Sequence, residues 1–315
     1  MASSLANAPE PTTTTTAAPP PRVQDRATHQ VGLCPHYVAI PAAVFTWPLL
    51  FVGGLVTSYR VGMAVPDWPT TFGMNMFLYD FTQAAWGVFI EHGHRLYGAA
   101  VGVATIILAV WLAAADRRGW MKVLGGLALL AVIGQGLLGG YRVRMISTDL
   151  AMIHGCTGQA FFALMVALCV LTGRDWREAA DPHVDAGRLR LHSAVTLAAL
   201  YSQIVVGAWL RHHGYGLGLV AHFLLFLAVV LPLSISLAAR VELRRRQSPA
   251  LVAPARLLVG LMLIQVALGV AAWWVLRPFD GTPREVSGAQ ALIRTGHQAN
   301  GALVLGAAVM LTLRA

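Results

Sequence analysis

Eight separated apolar runs constrain this chain more than any other feature. Each is near the roughly 20 residues a helix needs to cross a bilayer. They lie at about 37–58, 85–114, 120–142, 150–172, 190–211, 218–239, 253–276 and 291–313. In hydrocarbon every backbone N–H and C=O must be satisfied within the chain, so runs of this length predict helices. The expected fold class is an all-α membrane protein with eight transmembrane helices. Charge agrees: 12% of residues are charged and 57% are hydrophobic, whereas about a quarter of a soluble domain is charged.

An even number of crossings puts both termini on one side, and basic residues choose the side. With the termini inside, 15 of the 23 Lys and Arg face the cytoplasm, 7 face outward, and Arg95 lies within the second run. The positive-inside rule then predicts a multi-pass protein of the cell (inner) membrane with both termini cytoplasmic. The net charge of +9 is thus a topology signal, and nucleic acid is not an expected partner; the lipid bilayer is. Residues 1–36, with threonines at 12–16 and prolines at 19–21, cannot bury a core and are expected to form a disordered cytoplasmic tail. Cys34, Cys156 and Cys169 fall in or beside apolar runs and imply no disulfide framework.

An internal repeat subdivides the membrane part. Gln135-x-x-x-Gly139, Gln203-x-x-x-Gly207 and Gln265-x-x-x-Gly269 each lie late in an outward-running helix. Gln135 precedes His154 by 19 residues, and Gln203 precedes His222 by the same 19; Gln265 to His297 is 32, across a longer loop. Helix pairs therefore repeat. The expected organisation is two pseudo-repeated four-helix bundles, 37–172 and 190–313, joined by a cytoplasmic linker at 173–189.

Each returning helix carries one histidine near its outer end: His94, His154, His222 and His297. Glycine follows four residues later at Gly98, Gly158 and Gly301, and Phe226 follows His222. Glycine one turn away clears room for a flat macrocycle. Neutral imidazole is a common axial ligand of heme iron, and bundle cores are common cofactor sites. One histidine per returning helix at similar depth suits two bis-histidine hemes. The alternative is helix–helix hydrogen bonding by polar side chains. His29, His36, His183, His192, His212 and His213 fall in the tail, in loops or at the wrong depth, and read as structural or solvated.

The block Glu91-His92-Gly93-His94-Arg95 sets four ionisable groups inside an apolar run, where a charge costs about 2.5–3.5 kcal/mol at mid-membrane. Glu91, His94 and Arg95 share a helix face at i, i+3 and i+4, while His92 points elsewhere. No other member of the histidine set has a carboxylate three residues before it; Ala151, Leu219 and Arg294 hold that place. The halves are chemically unequal. Glu91 can transfer protons or stabilise developing positive charge, or merely neutralise Arg95. Arg95 can equally hold a heme propionate. The long first outer loop, with Pro66-Asp67-Trp68-Pro69 at its centre, reads as a shaped cap or an aromatic belt segment.

These motifs resemble the heme A synthase family. The Glu91 to Arg95 block is similar to its Glu-x-x-His-Arg signature, and segment 62–73 to its Cys-Pro-Asp-Trp-Pro-x-Cys loop. The resemblance covers about 37–313. It implies oxidation of a heme O methyl group to a formyl group, giving heme A. It implies substrate heme O at His94 and His154, heme b as cofactor at His222 and His297, and Glu91 as the catalytic carboxylate. It also implies a heme O synthase upstream and cytochrome oxidase downstream. Val65 and Thr71 replace the two loop cysteines, so a thiol relay has no residues here; branches of the family without the pair also exist. Two other classes stay open on the residues alone. One is a di-heme membrane cytochrome b acting only in electron transfer, and the other is an assembly or transport protein without heme.

Overall fold

The computed structural model describes residues 34–177, 186–214, 216–275 and 286–315. Most of the tail, the centre of the linker with His183, and the segment holding Arg277 and Arg284 lie outside the described residues. The structure is all-helical apart from one two-residue hairpin. Its helices are α1 (Cys34–Ser58), α2 (Trp86–Ala115), α3 (Gly119–Arg144), α4 (Thr148–Thr172), a short α5 (Arg174–Arg177), α6 (Ala186–His213), α7 (Gly216–Leu225), α8 (Leu231–Leu243), α9 (Pro249–Val275) and α10 (Gly288–Arg314). A π-helical turn, Phe226–Val230, joins α7 to α8, so the two form one span, Gly216–Leu243.

Among the described residues seven helices are long and apolar enough to cross a membrane: α1, α2, α3, α4, α6, α7–α8 and α9. The chain is a multi-pass membrane protein. α10 matches their length at 27 residues, but its first half carries Arg294, His297, Gln298 and Asn300. Two boundaries differ from the sequence expectation. α1 begins at Cys34, inside the expected tail. α6 runs on through His213, so His212 and His213 end a helix where a short loop was expected.

Local sequence explains the ends and the irregular turn. Ser147 caps α4 by accepting from Leu150 N, with Asp149 in the first turn, where a negative charge favours the helix dipole. Ser287 and Gln290 form a capping box at α10. Pro232 has no N–H to return to the preceding turn, and the wider π turn directly before it absorbs the mismatch. Pro41 and Pro48 lie inside α1, as membrane helices tolerate when neighbours satisfy the freed carbonyls.

α1 packs on α2 and α4, and α3 on α2 and α4; in the later part α6 packs on α7–α8 and α10, and α9 on α8 and α10. α1 and α4 also meet α10, and α4 meets α6. One apolar cluster joins Ala39 and Ala42 with Leu108, Leu112, Met121, Met165 and Leu168. Another joins Leu200, Val230 and Leu237 with Leu258, Leu305 and Leu311. The first cluster uses the starts of α1 and α3 and the ends of α2 and α4, and the second the ends of α8 and α10. The opposite ends are left to polar side chains, and the histidines sit there.

Leu108 is fully buried in the first cluster, whereas its neighbour Ile107 is 45% exposed on the lipid side. Leu108→Ala is expected to cost about 2–5 kcal/mol through the cavity it leaves, and Ile107→Ala far less. Thermal unfolding of the two variants in one detergent checks the difference.

Candidate functional site

The structure brings the four histidines together in two pairs. His94 of α2 faces His154 of α4, with ring centroids 6.5 Å apart and planes at 87°. His222 of α7 faces His297 of α10 at 6.3 Å and 71°. All four rings are half-buried.

Each ring lies against a glycine of the preceding outward helix. A Cβ built on Gly139 would stand 3.2 Å from His154 Cε1, one on Gly207 3.0 Å from His222, and one on Gly269 3.0 Å from His297. These contacts are tighter than most carbon atoms make, so a side chain there would push on the ring, and the glycines of the Gln-x-x-x-Gly repeat allow close approach. Gly53 in α1 does the same for His94, at 2.9 Å. Sequence reasoning missed Gly53 because the glutamine that marks the other three is Leu49 here. The glycines one turn after the histidines are not the contact: Gly98 meets nothing within 4 Å, and Gly301 meets only Gln265 at 3.6 Å.

The glutamines touch the imidazoles themselves. Gln203 Nε2 lies 3.1 Å from His222 Nδ1 and donates to the His222 carbonyl at 2.9 Å. With its amide turned to satisfy Thr157 and Gly158, Gln135 stands 3.1 Å from His154 Nδ1 and 3.2 Å from the His154 carbonyl, the same arrangement. His297 Nδ1 lies 3.2 Å from the Gln265 carbonyl, and Asn300 holds the Gln265 side-chain oxygen at 2.8 Å.

Glu91 and Arg95 fasten the loop between α1 and α2 onto α2. Glu91 is 1% exposed. Its Oε2 accepts from Val65 N at 2.9 Å and its Oε1 from Arg95 Nη2 at 3.1 Å. Arg95 also donates to the carbonyls of Val65, Asp67 and Thr70 at 2.8, 2.7 and 3.2 Å. Arg95 is thus turned to the loop, and its donors are engaged there. His92 is fully buried, 3.1 Å from Thr71 Oγ1 through Nδ1 and walled by the rings of Tyr79 and Phe81. The sequence left His92 without a role; a buried histidine opposite the Thr71 hydroxyl is a loop anchor.

Within the loop, β1 (Thr70–Thr71) pairs with β2 (Met74–Asn75) across Phe72 and Gly73, both at positive φ, as a tight hairpin requires. The Asp67 carboxylate accepts from Thr70 Oγ1, Phe72 N and Gly73 N. Burial alone would raise its pKa, but these hydrogen bonds outweigh burial and hold it below the usual carboxylate value. Trp68 lies over Gly140 of α3, where any Cβ would enter its ring.

Two buried cations escaped the sequence reading, which used them only to count charge. Arg142 and Arg211 follow the repeat glycines by three and four residues, and in both the Nε is buried with no partner among the described residues. Arg211 Nη2 donates to Gly54 O and Ser58 Oγ at 2.8 and 2.7 Å, tying α6 to α1. Of the other histidines, His36 meets Thr172, His192 meets Ser236, and His213 pairs with Asp149 at 2.8 Å, while His29 and His183 lie outside the described residues.

Fold and site together define a multi-pass helical membrane protein with two facing histidine pairs and a loop latched to α2. Comparison narrows that class: the family model described as "Cytochrome oxidase assembly protein" (COX15-CtaA) matches residues 36–224, and the chain belongs to that family. The matched region includes His94, His154 and His222 and ends before His297. Among curated proteins the chain is similar to "Heme A synthase" of Lysinibacillus sphaericus (strain C3-41), 28% identical over 180 residues, 56% of this chain and 57% of the relative. It is also similar to "Heme A synthase" of Listeria welshimeri, 26% identical over 134 residues, 42% of each chain. The match thus spans little more than half of the first relative's length. No solved structure matches the chain.

Thr71→Val removes the hydroxyl beside His92 Nδ1 and leaves that atom buried and unpaired, at an expected cost of about 1–3 kcal/mol; Thr71→Ser is expected to restore it. Faster hydrogen exchange across 65–73 in the Val variant alone checks this. The lowered pKa of Asp67 stabilises the loop above the ordinary carboxylate range, and that support is lost as pH falls through the lowered value. The amides of Phe72 and Gly73, corrected for intrinsic rates, are expected to lose protection there, and Asp67→Asn to remove the pH dependence.

Proposed function

We propose that this protein is a heme A synthase, oxidising a methyl group of heme O to a formyl group to supply heme A for cytochrome oxidase. The observation that carries the reading is an inequality. Two histidine pairs share one spacing, and among the described residues only the first has a buried carboxylate one turn from a ligand.

The residues fit heme. Two bonds of about 2 Å from imidazole nitrogens to a first-row metal take up about 4 Å of each centroid separation, and the half-widths of two five-membered rings the rest. Among the described residues no third His, Cys, Asp or Glu converges on either pair. Two facing imidazoles alone suit an iron whose other ligands belong to a macrocycle.

In this reading His94 and His154 hold the substrate heme O, and His222 and His297 hold heme b, which supplies one-electron redox chemistry. Arg142 and Arg211 are cations suited to propionates, while Arg95 acts on the loop. With water as the oxygen source, taking a methyl group to formyl releases four protons and four electrons; a bound heme b would pass the electrons singly to an external electron acceptor, and Glu91 is the group to take a proton. It shares a helix face with His94, and Arg95 holds it in place. The reading carries with it α10 as an eighth span and a pseudo-repeat of two four-helix halves. It also carries cytoplasmic termini in the cell membrane and a heme O synthase as supplier.

Co-expression with a heme O synthase, followed by analysis of extracted hemes, tests the proposal. Heme A is expected from the parent. Glu91→Gln is expected to reduce it by about a hundredfold or more while the second pair keeps its heme, and His222→Ala to lose both. A folded, heme-loaded parent that returns only heme O would overturn the proposal. Unchanged heme composition in Glu91→Gln would favour an electron-transferring di-heme cytochrome b instead.

A further inference from the structure

Away from the histidines, α6 and α8 leave a groove of about 430 Å³ between them. We infer that this groove binds an anionic phospholipid. The inference is independent of the heme reading: Leu233, at the inner end of the groove, stands about 16 Å along the span from His222.

The groove is graded. His192 Nε2 of α6 lies 3.2 Å from Ser236 Oγ of α8, which sets the two antiparallel helices level at that point. Four residues further out on each helix stand Arg188 and Arg240, close to the start of α6 and the end of α8. Three residues further in stand Val195 and Leu233. At the helical rise these steps are about 6 and 4.5 Å. From the helix ends inward the lining is therefore cationic, then polar, then apolar. A phospholipid presents its groups in the same order, with phosphate at the membrane boundary, esters below it and acyl chain below those.

Charge selects the headgroup. No Asp or Glu lines the groove, and neither Arg188 nor Arg240 has a carboxylate partner among the described residues. A phosphate between two guanidinium groups accepts charge-assisted hydrogen bonds from both. A zwitterionic headgroup would bring its own cation to the same place, with no anion there to receive it. Free phosphate would use the arginines alone and leave Leu191, Val195 and Leu233 without a partner. A basic pocket between membrane helices suits a lipid of net negative charge.

The test titrates the delipidated full-length protein in uncharged detergent with dioleoyl phosphatidylglycerol, dioleoyl phosphatidylcholine and inorganic phosphate. Native mass spectrometry reads bound lipid, and the rise in unfolding temperature gives affinity. Phosphatidylglycerol is expected to bind about tenfold more tightly than phosphatidylcholine. Arg188→Gln and Arg240→Gln are each expected to weaken it about fivefold, and the two together about thirtyfold. Arg190→Gln with Lys122→Gln removes the same charge outside the groove and is expected to leave affinity unchanged. Equal losses in the two double variants would overturn the site, and so would equal binding of the two lipids. Inorganic phosphate binding as tightly as phosphatidylglycerol would overturn the lipid as occupant. Should the groove double variant not fold, unchanged affinity in both single variants would overturn the inference.

Discussion

An imidazole set deep among apolar helices needs room and a partner, and the packing of this protein follows from how both are supplied. Room comes from glycine. Each of Gly53, Gly139, Gly207 and Gly269 brings bare backbone within about a carbon contact of a histidine ring, and a larger residue there would have to push the ring aside. For His154, His222 and His297, partners come from the same helices one turn earlier. In a bilayer the helices gain little from apolar contact with one another, because lipid is equally apolar. Close approach and polar contacts therefore decide which helices lie together. The two apolar clusters fill the other end of the molecule and leave the histidine end free to be shaped by chemistry.

Much of this was legible in the chain. Seven of the eight apolar runs match, to within a few residues, helices fit to cross a membrane, and the Gln-x-x-x-Gly spacing points to the histidines it serves. What escaped did so for physical reasons. Gly53 lacked the glutamine that flags its counterparts, so nothing in the sequence separated it from the many other glycines of membrane helices. Arg142 and Arg211 looked like topology charges, since a cation near a helix end is usually solvated. A missing hydrogen-bond partner on Nε is visible only when three helices are assembled around it. His92 looked incidental because its partner, Thr71, is 21 residues away in a loop with no period to read.

The loop shows how a few polar atoms hold an irregular segment at a membrane surface. Glu91 and Arg95 neutralise one another, and their remaining capacity goes to backbone groups of Val65, Asp67 and Thr70. Those groups would otherwise need water. Asp67 does the same inside the hairpin. The carboxylate that makes the first half chemically distinct is therefore also part of its architecture. Replacing it alters both, and the conservative change to glutamine is the informative one.

Val65 and Thr71 stand where cysteines occupy the resembling motif, and their contacts are a backbone hydrogen bond to Glu91 and a hydroxyl contact to His92. Such a clasp has nothing for a reductant or an alkylating reagent to attack. With no thiol at either position, the fastening of this cover is blind to electrons.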